Sequence, residues 1–163
     1  MGELAIVEVS ATHAIATWRN LLVCVLAPGS PAVFARVAEV QSEQHARWPD
    51  GLVSMTLLIG NFSSLFSSES RAQARRQLAE TSNTTLAMAL VIRSPGMLAS
   101  ATRTTMNALS AILKMRTPWR SFDDVGPAAE WLAPNVAGAP DAETIAAIAR
   151  EVFGLTEGAR ANA

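Results

Sequence analysis

Two short apolar runs, Leu52–Ile59 (Leu-Val-Ser-Met-Thr-Leu-Leu-Ile) and 86–92 (Leu-Ala-Met-Ala-Leu-Val-Ile), constrain this chain more than any other feature. Each is too short for a buried helix and lacks the alternation of a half-exposed strand, so both are expected as strands covered on both faces. The stretch between them is long enough for a helical crossover, which parallel neighbours require.

What precedes them is different in kind. Segments 4–9, His13–Trp18 and Leu21–Leu26 are short, β-branched and separated by only a few residues, with Arg19-Asn20 supplying turn chemistry. Links this brief permit only antiparallel pairing, so the chain is expected to start as a meander. Ser30 and Pro31 then provide a helix cap and first-turn residue, and Val33, Phe34, Val37 and Val40 recur at helical spacing up to about Arg47. Trp48-Pro49-Asp50-Gly51 ends that helix.

Beyond the first apolar run, a serine-rich turn (Ser63-Ser64-Leu65-Phe66-Ser67-Ser68) opens a polar helix bearing Arg71, Arg75, Arg76 and Glu80. After the second run, Ser94-Pro95-Gly96 turns into a helix with the strongest apolar stripe in the chain: Leu98, Ala101, Met106, Leu109, Ile112 and Leu113. Trp119–Phe122 makes a last strand, and Asp123 or Asp124 caps a short helix that tolerates Pro127 in its first turn. These elements form a first domain over residues 1–133, with 134–140 a linker by composition. A C-terminal amphipathic helix over 141–155 follows, capped by Asp141, and 156–163 is expected to be a disordered tail. The fold class is α/β: a mixed β-sheet with antiparallel N-terminal strands and central parallel strands, packed against helices, plus the C-terminal helix.

Half of the 163 residues are apolar and only 17% are charged, against roughly 25% in an average soluble domain, which favours self-association. A net charge of −1 leaves no footprint for nucleic acid or an anionic membrane. No run is long enough to span a membrane and no basic leader is present, so a cytoplasmic location is expected. The single cysteine, Cys24, sits in an apolar run as a buried small hydrophobe. His13 and His45 stand at no metal-ligand spacing, and no nucleophile elbow, dinucleotide fingerprint or P-loop occurs. No metal, cofactor or enzymatic chemistry is expected.

The element order resembles the STAS domain, the fold of the bacterial anti-sigma-factor antagonists, over about residues 4–132. The resemblance also rests on Ile92-Arg93-Ser94-Pro95-Gly96 and on the closing Trp119-Arg120-Ser121-Phe122-Asp123-Asp124 with Ala128-Ala129-Glu130-Trp131-Leu132. It implies a regulatory or scaffolding role through protein partners. The family's phosphorylation motif, Asp-Ser-Ser/Thr-Gly, lies over Phe66-Ser67-Ser68-Glu69, which implies Ser67 and Ser68 as phosphoacceptor candidates. Phe66 replaces the acid and Glu69 the glycine, so two of the four motif positions are lost and the component would be a degenerate one.

The same serines suit an ordinary helix cap, and both readings stand at this level. Three large apolar residues beside them, Phe62, Leu65 and Phe66, are unusual in a turn that should be polar. With Glu69, Arg71 and Arg75 they form the candidate partner or oligomer interface, the expected partner being protein, itself included. A small apolar-ligand, lipid-like carrier is the alternative function.

Overall fold

The computed structural model describes residues 3–27, 31–60, 84–93 and 117–163. Six strands lie in one sheet in the order of the chain: β1 (Ala5–Val9), β2 (His13–Trp18), β3 (Leu21–Leu26), β4 (Leu52–Ile59), β5 (Thr85–Arg93) and β6 (Trp119–Phe122). β1, β2 and β3 pair antiparallel, whereas β3, β4, β5 and β6 pair parallel. β3 is therefore the seam between a meander and a crossover sheet. The expected α/β class and the antiparallel-then-parallel arrangement are both present.

Three helices cover the sheet among the described residues: α1 (Pro31–Arg47), α2 (Val125–Leu132) and α3 (Ala142–Ala161). Because strand side chains alternate between faces, β2, β3 and β4 feed two separate cores. On one face Ile15, Leu22, Cys24, Leu58, Leu90 and Ile92 pack with Val37 and Val40 of α1. On the other, Val23, Val25, Val53, Met55, Leu57 and Val91 pack with Leu132 of α2 and Ile145, Ala149 and Val152 of α3. α3 lies over β2 and β3 and reaches β1, while α2 lies over β5 and β6. Burial of β2, β3 and β4 on both sides explains why their sequences are apolar without alternation.

β5 departs from that expectation. It runs from Thr85 to Arg93, and Leu86 is 40% exposed, so two-sided cover is complete only from Ala89 to Ile92. Leu86 lies over the backbone at the start of β4, where a Cβ on Gly51 would meet its Cγ at 2.5 Å. Glycine with φ +126° at position 51 thus makes room for a neighbouring strand as well as ending the turn after α1.

The α2 cap falls to Asp124, whose carboxylate accepts from Gly126 N at 2.8 Å, and Phe122 meets Trp131 with ring centroids 5.9 Å apart. Asp141 caps α3 by accepting from Thr144 N at 2.7 Å. α3 does not stop at residue 155: it continues to Ala161, and Thr156 is fully buried with its hydroxyl bonded to Val152 O. The expected tail at 156–163 is thus mostly helix. A threonine next to Glu157-Gly158 looks like a helix exit, but back-bonding to the preceding turn lets it enter the interior. Segment 134–140 is likewise fastened down, with Val136 in the core and a short 3-10 turn at Ala133–Asn135.

Candidate functional site

The sequence-derived site residues Phe62, Leu65, Phe66, Ser67, Ser68, Glu69, Arg71 and Arg75 lie outside the described residues. The described part of the fold shows where the chain leaves for them: β4 ends at Ile59, at the carboxyl end of the parallel strands, where open α/β sheets usually bind ligands. At that end the guanidinium of Arg93, the last residue of β5, stacks over the Phe153 ring at 4.5 Å.

The meander brings together a second set of groups there. Ser10-Ala11-Thr12-His13 is a tight turn closed by Ser10 N donating to His13 O at 2.8 Å. Ser10 Oγ accepts from the backbone N–H groups of Thr12 and His13 at 3.2 and 3.1 Å and lies 2.8 Å from His13 Nδ1. His13 Nε2 faces the Glu8 carboxylate at 2.8 Å, so that nitrogen carries the proton, and Glu8 accepts in turn from Arg36 Nε at 3.1 Å. Arg36 also donates to Glu39 at 3.0 Å. The Glu8 carboxyl is held below its ordinary range, first by the His13 hydrogen bond and then by that of Arg36.

A serine, histidine and carboxylate in a row invite comparison with a nucleophile relay. The Ser10 oxygen, however, already receives two backbone donors, which occupy its lone pairs and favour a turn-closing role. The row ties β1 and the β1–β2 turn to α1. Periodicity gives no sign of this, because Glu8 and His13 meet across a hairpin whose register shifts at Val7. Among the described residues no group of three histidine, cysteine or acidic side chains could hold a metal.

Among the described strands β1 stands at one edge of the sheet, and its exposed side chains have a clear pattern. Ile6 and Val9 stand opposite Ala16 and Ala14, both buried on the α3 face, so they point to that face too. They are 43% and 38% exposed. On α3, Phe153 faces Arg93 of β5, so the flank carrying Ile148 and Leu155 faces the β1 edge, and Leu155 is 37% exposed. Three of the four exposed large apolar side chains among the described residues thus line one margin of the molecule.

No protein-family model, curated protein or solved structure matches this chain. The site is therefore read from its own residues.

The β2–β3 turn marks the opposite end of the sheet. Arg19 has φ +53°, the sign that primed hairpin turns need at their first loop residue, and its Nη1 donates to Ala137 O at 2.7 Å while the guanidinium stacks on Trp18 at 4.4 Å. Asn20 is buried and makes three hydrogen bonds: Nδ2 donates to Gly51 O and Asn135 O, and Oδ1 accepts from Ala137 N. Gly138 has φ +79°, and a Cβ there would meet Arg19 Nη1 at 2.4 Å, so another residue would be strained and would displace that guanidinium. The turn chemistry of Arg19-Asn20 is legible in the sequence, but its partners more than a hundred residues away are not.

No helix among the described residues is long and apolar enough to cross a membrane.

Proposed function

We propose that the protein is a regulatory or scaffolding interaction module of STAS-like fold that works without catalysis, by binding protein, and first of all a second copy of itself. The observation that carries this reading is the margin formed by Ile6, Val9 and Leu155 beside β1, whose outer edge pairs with no strand among the described residues. An edge strand offers a row of free backbone donors and acceptors to a further strand, and natural proteins usually guard such edges with charge. Here the only charged residue of β1 is Glu8, and it is paired from within by Arg36 and hydrogen-bonded to His13. Ile6 and Val9 share one face, so a two-fold pairing that sets Ile6 against Val9 of the second copy joins apolar to apolar. The sheet order and the closing strand, acidic cap and short helix support the STAS-like part of the reading.

Light scattering on the purified 17.3 kDa chain is expected to give a multiple of that mass. The Ile6→Lys/Val9→Lys double variant should be monomeric with an unchanged far-ultraviolet spectrum. A wild-type monomer at the highest soluble concentration, or a double variant that still associates, would overturn the placement at β1. Phe66→Asp separates the two candidate faces: association lost in that variant alone moves the interface to the 62–75 stretch.

A further inference from the structure

A cleft of about 600 Å³ opens at the amino end of β3, beside the start of β1 and on the sheet face opposite Ile6 and Val9. Its walls come from three parts of the chain: Ala5 and Thr17 of the hairpin, Gln44, Arg47 and Trp48 at the end of α1, and Arg19 with Gly138. The volume lies within the range of small-molecule sites.

The side chains nearest the interior are the informative ones. Thr17 is 5% exposed and Gln44 6%. Thr17 stands opposite Leu22, a residue of the α1-side core, so it points towards the helix that carries Gln44. Neither the Thr17 hydroxyl nor the Gln44 amide hydrogen-bonds to any described residue, although both line the cleft. Neither polar group is sealed from water: the buried side-chain atoms without a partner among the described residues are Gln41 Oε1, His45 Nδ1 and Trp119 Nε1, so Thr17 and Gln44 present their polar atoms to the open cleft.

Charge points the same way. Two guanidiniums, Arg19 and Arg47, border the cleft against one carboxylate, Glu3. Arg19 spends one nitrogen on Ala137 O and is held there by the Trp18 ring and the bare Cα of Gly138. Arg47 has no partner among the described residues. A pre-positioned guanidinium fork that shares a cleft with a second cation suits an oxyanion, and Thr17 with Gln44 suits a neutral hydrogen-bonding group on the same ligand.

We infer that this cleft is a binding site for a small oxyanion-bearing metabolite, with Arg47 and Arg19 on the oxyanion and Thr17 and Gln44 on its polar body. The site shares β1 with the proposed interface through Ala5 but lies on the sheet face opposite Ile6 and Val9, and it extends the function to ligand sensing. Carboxylate and phosphate share the required chemistry, and the probes separate them.

Calorimetric titration of the full chain with succinate, glutamate and inorganic phosphate is the test, with amide NMR spectra recorded alongside. At least one probe should bind saturably, shifting the Trp48 indole and Gln44 amide signals. Arg47→Gln, an exposed substitution that leaves the fold intact, should weaken it by about tenfold or more, the effect of losing one charged hydrogen-bonding partner. Thr17→Val and Gln44→Leu should weaken succinate or glutamate binding more than phosphate binding. Preference for succinate or glutamate assigns a carboxylate ligand, and preference for phosphate assigns a phosphorylated one. Absence of saturable binding for all three probes, or binding that survives Arg47→Gln unchanged, overturns the inference.

Discussion

Replacing Asn20 by alanine is the most direct test of how this fold is held together. Its side chain is 4% exposed and joins three places: the start of β4 through Gly51 O at 3.2 Å, the 3-10 turn through Asn135 O at 3.1 Å and the following segment through Ala137 N at 2.7 Å. At about 1 kcal/mol net for each hydrogen bond, the loss is about 3 kcal/mol. Asn135 is exposed and can turn its carbonyl to water, which lowers the figure to about 2 kcal/mol, while the buried Gly51 carbonyl has no such outlet. For a chain of this size each kcal/mol moves the melting temperature by about 2–4 °C, so a fall of about 4–12 °C is expected in a calorimetric scan. Asn135→Ala is the control: it deletes an exposed side chain but keeps the backbone acceptor, and should stay within about 0.5 kcal/mol of wild type. A fall of less than about 2 °C for Asn20→Ala, or equal damage from the control, would refute the idea that this clamp fastens the C-terminal part to the hairpin.

Three further outcomes follow from the described geometry. Glu8 has its folded pKa depressed by His13 and then Arg36, so its contribution is complete above the ordinary value of 4.5 and is lost as the pH falls through the folded value. Glu8→Gln should therefore flatten the loss of stability below that pH, seen in urea midpoints at pH 7 and pH 3, and an unchanged acid limb would count against the pairing. Burial pushes the Cys24 thiol up to about 12, so a thiol reagent at pH 8 should label denatured protein fully and native protein not at all. Ile145, with no exposed surface, should lose about 2–5 kcal/mol on replacement by alanine, measured by denaturant titration; a loss under about 1 kcal/mol would mean that α3 is not part of the same cooperative core.

Sequence reasoning succeeded where one local rule decided the outcome. β2, β3 and β4 follow from apolar runs bounded by turns, the meander from links too short for crossovers, and the α2 cap from an acid ahead of an apolar pattern. It failed where distant residues decided. Leu86 belongs to an apolar run yet is largely exposed, because position along β5 determines cover and periodicity does not report it. Thr156 lies within α3, fully buried and back-bonded to Val152 O, and no local pattern announces either. Proline, glycine and alanine in 134–140 announce a connector, but Asn20 and Arg19 seize its backbone atoms, and no pattern within that stretch encodes two partners from the hairpin. The Ser10–His13–Glu8–Arg36 row is hidden for a related reason: its members come from a bulged hairpin and a helix, each unremarkable alone.

The placement of α3 over β2 and β3 also has a consequence for synthesis. The inner face built by residues such as Ala14, Ala16, Val23 and Val25 is completed early, but Ile145, Ala149 and Val152, which cover it, are made much later. At about 5–20 residues per second the intervening stretch of about 120 residues takes roughly 6–24 s to make, and for that time the apolar floor of the meander has no roof. A nascent chain of this kind needs either a chaperone's temporary cover or another chain's meander laid against its own. Translation rate and chaperone supply, rather than equilibrium stability alone, would then set how much of it reaches the finished fold.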